Sequence, residues 1–116
     1  MALGNQYDFA MHSGDTLTLN VTVQDADGVA VDLTGATCTF GLSKQDSDGM
    51  PKGSSLASPV VTIVNAAAGN VSVAIIPTDT APLAGDYYHE LQVVDASANV
   101  STVLYGTATI QKDLLA

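Results

Sequence analysis

The chain has 116 residues and a mass of 11.8 kDa, the size of one ordinary domain. Twelve acidic side chains stand against three lysines (Lys44, Lys52, Lys112) and no arginine, for a formal charge of −9. With no basic patch to neutralise phosphates, neither nucleic acid nor an anionic membrane surface is expected as a partner.

Charged residues make up 13%, against roughly 25% in ordinary soluble domains. The deficit points to a surface partly covered by another protein. Apolar residues reach 47% without a tryptophan, so a core must come from small aliphatic and β-branched side chains. A single cysteine, Cys38, excludes an internal disulfide and a cysteine-based zinc cluster. Residues 1–7 carry neither the basic nor the apolar segment of a secretion signal, and no run approaches the roughly 18 apolar residues of a membrane helix. A soluble product of a cytoplasm is expected.

Period-2 alternation, the mark of half-buried strands, recurs along the chain. Over residues 16–24, Leu17, Leu19, Val21 and Val23 face one way and Thr18, Asn20, Thr22 and Gln24 the other. Asp25, Asp27 and Gly28 make a turn, and 29–32 a short returning strand. Residues 37–43 alternate again, with Cys38, Phe40 and Leu42 inward. The segment 45–59 is rich in Asp, Ser, Gly and Pro and reads as an exposed loop. Strands follow at 60–64 and 70–76. Residues 77–84 hold one helical turn with Thr78 as its N-cap. The last strands span 87–94, with Tyr87, His89, Leu91 and Val93 on one face, and 100–110. Seven to eight strands with turns every 8 to 12 residues predict an all-β antiparallel sandwich. Leu83, Gly85 and Tyr87 further place a tyrosine at the opening of a strand. In immunoglobulin-like sandwiches a tyrosine at this corner hydrogen-bonds back to the upstream backbone.

Candidate chemistry is sparse. Two Asp-x-Asp-Gly tetrapeptides, at Asp25 and Asp46, resemble the start of a calcium loop, but neither has the later ligands a hard cation needs. Asp-Gly is also a strong hairpin signal, and turn chemistry is preferred. His89 falls on an apolar strand face and is expected to be packed, not catalytic; no nucleophile frame surrounds Ser13 or Cys38. Cys38 sits in an inward set and reads as a buried, inert thiol. Glu90, the single glutamate, has no carboxylate partner nearby in sequence for acid–base work. No enzyme, metal or cofactor is expected. Acceptor triplets for glycans begin at Asn20, Asn70 and Asn99 and are discounted for want of a secretion signal.

Five segments in order carry a resemblance: GDTLTLNVTV at 14–23, DGVAVDLTGAT at 27–37 with Phe40 after it, AAGNVSV at 67–73, LAGDYYHELQV at 83–93, and TVLYGTATI at 102–110. They resemble the small immunoglobulin-like domains of tailed-bacteriophage virion proteins, similar to the N-terminal domain of baseplate upper proteins. Val31 departs from that pattern, which favours proline there. The resemblance implies an immunoglobulin-like domain over 14–111, between an N-terminal arm, 1–13, and a C-terminal tail, 112–116. It further implies a non-enzymatic structural part of a virion, made in the host cytoplasm, with other virion proteins as partners and copies of itself around the particle. The baseplate proteins run on into a helical or fibre segment that does not follow here, so a capsid decoration protein is favoured and a tail or baseplate adaptor comes next. Contacts are expected through apolar groups of the two ends: Leu3, Tyr7, Phe9, Met11, Leu114 and Leu115. The alternative is a soluble binding module for a glycan or cell-surface partner. The exposed strand positions are rich in Thr, Ser, Asn and Gln, but with only four tyrosines they lack the usual aromatic platform for sugars.

Overall fold

A computed structural model describes residues 5–25 and 27–112. In chain order it contains β1 (Asn5–Gln6), β2 (Phe9–His12), β3 (Leu17–Thr22), β4 (Thr37–Gln45), β5 (Pro51–Ala57), β6 (Val60–Asn65), β7 (Asn70–Ile75), the short helix α1 (Pro77–Thr80), β8 (Gly85–Val94) and β9 (Val100–Gln111). One sheet runs β1–β9–β8–β4–β5, with β2 also on β9; the other runs β3–β7–β6. The pairings are antiparallel except that β1 and β2 lie parallel to β9. The chain is thus an all-β sandwich, as the spacing of its strands and turns predicts.

Alternation builds the core. Phe40 and Leu42 of β4 and Leu91 and Val93 of β8 face Leu19 of β3 and Val71, Val73 and Ile75 of β7, and all are buried. Each such side chain contributes about 1.5–3 kcal/mol through the apolar surface it removes from water. Cys38 packs against this core but is only half-buried, less enclosed than its place in the pattern suggests.

Of the expected arm, residues 5–12 belong to the sandwich and do not lie outside it. Phe9 and Met11 alternate inward along β2, pair with Ala108 and Ile110 on β9, and are buried in the core. The segment 45–59 also differs from the expected loop, since nearly half of it is the edge strand β5. No alternation announces β5 because nearly all its side chains are exposed. Its ladder with β4 is broken as well: Lys44 pairs with Lys52 and Leu42 with Ala57, so β5 arches outward between these points. Residues 29–32 form no strand beyond an isolated bridge between Gln24 and Ala30. The helix begins at Pro77, one residue before Thr78, and Ile76 occupies the N-cap position. There the Asp79 carboxylate accepts the Ile76 N–H at 2.9 Å, the reach-back half of a capping box, while Ile76 has no side-chain oxygen to accept an N–H of the first turn.

Three hairpin and loop turns share one device. The Oδ1 atoms of Asp25, Asp46 and Asp95 each accept two backbone N–H groups, two and four residues further on, at 2.9–3.0 Å. Gly28, Gly49 and Ala98 then turn with positive φ. The leading carboxylates of both Asp-x-Asp-Gly motifs are therefore occupied in holding turns.

At the α1–β8 corner the Tyr87 hydroxyl accepts the Ala84 N–H at 3.0 Å and donates to the Ala84 carbonyl at 3.1 Å. Tyr87→Phe is expected to cost about 1–2 kcal/mol, read as a lower urea midpoint with an unchanged slope. An unaltered midpoint would show that the hydroxyl does not hold the corner.

Candidate functional site

Of the six apolar residues expected to dock a partner, Phe9 and Met11 are corrected by the fold: they are committed to the core. Tyr7 remains exposed at 46%. Leu3, Leu114 and Leu115 lie outside the described residues.

His89, the one histidine on an apolar strand face, is fully buried between the rings of Phe9 (centroids 4.9 Å apart) and Phe40 (5.5 Å). Its Nε2 lies 2.5 Å from the Tyr7 carbonyl oxygen. A carbonyl only accepts, so Nε2 carries the proton and donates it, leaving Nδ1 as a bare acceptor with no hydrogen-bond partner among the described residues. Burial pushes the imidazole below its ordinary pKa of 6.5, against the opposing pull of the Tyr7 carbonyl and the Asp8 carboxylate. This histidine is a neutral strut under the N-terminal strand, closed to any substrate. Burial likewise pushes the Cys38 thiol up, which disfavours the reactive thiolate. No group of three or more His, Cys, Asp or Glu among the described residues could hold a metal ion.

The two outer faces differ in kind. In the smaller sheet, β3, β7 and β6 contain no charged residue. Its outward rows run Thr18–Ala74–Val60 and Asn20–Ser72–Thr62. Its edge strand β6 exposes Val60 (65%) and Val64 (66%).

The outer face of the larger sheet is a grid of polar and aromatic groups. Register sets Ser43 beside Tyr88 beside Thr107, then Gly41 beside Glu90 beside Tyr105, then Thr39 beside Gln92 beside Thr102. Glu90 Oε2 accepts from Thr102 Oγ1 and Gln92 Nε2, both at 3.3 Å. The Tyr88 phenol is pushed above its ordinary pKa by burial first, then by Glu90 and Tyr105. The arch of β5 leans over this grid. A Cβ on Gly41 would lie 3.2 Å from Ser55 Oγ, so Gly41 forms a floor under the arch. Between arch and grid lies a cleft of about 260 Å³. Sequence reading missed it because its walls come from strands distant in the chain. The available signal was the set Tyr88, Glu90 and Gln92, alternate with the core residues of one strand.

A scan of known protein families and a search of characterised proteins found none that matches this chain.

Proposed function

We propose that this chain is a non-enzymatic, immunoglobulin-like structural module of a bacteriophage virion, a capsid decoration protein in the first instance and a tail or baseplate adaptor in the second. The observation that carries the reading is the uncharged sheet β3–β7–β6 in a protein of net charge −9. Free sheets guard their edges with charge, proline or irregularity. The β5 edge does so with Pro51, Lys52 and its arch, whereas β6, apart from one irregularity between Ile63 and Asn65, has neither charge nor proline and exposes Val60 and Val64. Interface cores are depleted of charge, so a sheet kept neutral amid so much acid suits burial against another protein.

Two further observations support the immunoglobulin-like part. The order β3–β7–β6 opposite β9–β8–β4–β5 corresponds to strands B, E, D opposite G, F, C, C′ of a variable-type domain. Tyr87 bonds back to Ala84 at the opening of the strand equivalent to F. On a symmetric shell or tail the module would recur in many copies.

Gold-labelled antibody against the protein, imaged by electron microscopy on particles from a lysate of its source, tests the reading. Label on heads is expected, and label on tails would select the adaptor. Bare particles with all the protein in the soluble fraction would overturn the virion role.

A further inference from the structure

We infer that the cleft between the β5 arch and the outer face of the larger sheet is a binding site for a neutral saccharide. It is independent of the virion role, and either can fail alone.

The size of the cleft comes first. At about 260 Å³ it lies just below the roughly 300 Å³ at which small-molecule sites begin. That room suits one or two sugar rings and no folded partner.

The chemistry of the walls then selects the ligand. A pyranose ring has one face of weakly positive C–H groups and an edge of paired hydroxyls. The face of a tyrosine ring carries negative quadrupole and receives such C–H groups. Tyr88 lines the cleft, and Tyr105 stands next to Glu90 across the β8–β9 ladder. Two of the four tyrosines, scattered in sequence, thus flank one carboxylate on one sheet face. Tyr88 supplies the aromatic element within the cleft that the sequence alone did not reveal, with Tyr105 beyond its lining on the same face.

Glu90 and Gln92 supply the polar half. Thr102 and Gln92 both engage Glu90 Oε2, which fixes the carboxylate and leaves Oε1 without a hydrogen bond in the described structure. A fixed carboxylate accepts from two vicinal hydroxyls, while an amide and a hydroxyl each donate and accept. Gln92, Thr39 and Ser55 add such groups around the rim. Hydroxyls that both donate and accept are what a sugar requires of its neighbours.

Charge narrows the class. Among the described residues Glu90 is the one ionised group lining the cleft, and the chain as a whole is strongly acidic. Sialylated, uronic or sulfated sugars are therefore disfavoured. A quaternary ammonium would satisfy Glu90 and Tyr88 but leave the ring of hydroxyl and amide groups unused. A neutral saccharide uses all of them.

The test is titration of the isotope-labelled protein with neutral disaccharides of glucose, galactose or N-acetylglucosamine, and separately with choline, followed by amide chemical shifts. At least one disaccharide is expected to give saturable shifts centred on Gly41, Tyr88, Glu90 and Gln92. Tyr88→Ala should weaken binding about tenfold, the worth of one aromatic contact. Gly41→Val, which plugs the floor under Ser55, should abolish it. Both variants are first checked for the dispersed spectrum of the folded chain, and Glu90→Gln, a surface change of near-identical shape, serves where either fails to fold and should weaken sugar binding. The proposal is overturned by shifts that do not saturate for any of the sugars, by affinity unchanged in the folded variants, or by a response to choline alone.

Discussion

Replacing Gly106 with alanine is expected to destabilise the protein by about 3 kcal/mol or more, the range of severe steric insertions. The reason lies in how the N-terminal strand crosses β9. β1 and β2 hold the same parallel offset against β9, Gln6 to Tyr105 and Phe9 to Ala108, but between them residues 7 and 8 leave the ladder. The Tyr7 carbonyl dips toward Gly106 and its cross-strand neighbour His89. Tyr7 N–H is fixed to the Tyr105 carbonyl at 2.8 Å and Asp8 Oδ1 to the Thr107 N–H at 2.9 Å, so the crossing has little freedom. A Cβ on residue 106 would run into the Tyr7 carbonyl and lie 2.6 Å from Asp8 Oδ1. The strand would have to lift, loosening Phe9 and Met11 and breaking the bond to His89. Urea denaturation should record the loss, and amide hydrogen exchange should rise first over residues 9–12. A variant with wild-type midpoint and wild-type protection there would show that the crossing is not as tight as described.

Acid should attack the same place. As pH falls through 6.5, an unfolded imidazole binds a proton, whereas buried His89, its pKa lowered by desolvation, does not. The unfolded chain then holds more protons, so stability declines as pH drops below 6.5 and levels off below the folded value. The slope contributed by this one group cannot exceed about 1.4 kcal/mol per pH unit. His89→Phe keeps a ring between Phe9 and Phe40 but cannot titrate. It should flatten stability over pH 5–7 and lower it at pH 7 by about 1–3 kcal/mol, because the Tyr7 carbonyl loses its donor. Denaturant midpoints of the two proteins across pH check this, and an equal slope in both would acquit His89. The carboxylates of Asp32 and Asp95 act in a separate window. Asp32 is held below its usual 3.8 first by the Thr34 hydroxyl, and Asp95 first by the Asn99 N–H. Their contributions are present above 3.8 and disappear only in stronger acid.

The strands visible in the sequence were those with one wet and one dry face. β3, β4, β7 and β8 alternate, and the inward sets expected of them lie in the core or pack against it; β6 and β9 were legible as strands too. β5 was invisible because an exposed edge strand has no dry face to impose a pattern. β2 was hidden by its length: Phe9, Met11 and their exposed neighbours give two alternations, too few to separate from a loose end. His89 was legible as a packed residue, but its partner Tyr7 lies far off in sequence, and nothing local announces that a backbone carbonyl would need a donor inside the core. The cleft has the same character. Tyr88, Glu90 and Gln92 stand out as the wet set of one strand, yet what makes them a site is Gly41 opposite Glu90 and the arch of β5 above it. Both are properties of pairing and of a broken ladder, which no single stretch encodes.

The parallel docking of β1 and β2 on β9 also has a mechanical side. Because the first and last strands run the same way, residue 5 lies beside Leu104 and Gln111 beside His12, so the chain enters at one end of this ribbon and leaves at the other. Tension applied between the two ends therefore pulls along the strands and loads their interstrand bonds together in shear, where an antiparallel pair pulled from one end would open bond by bond. Resistance to such a pull is governed by the barrier to unfolding and not by equilibrium stability. That barrier would be set at Tyr7, Asp8 and Gly106, where the two strands are locked past each other.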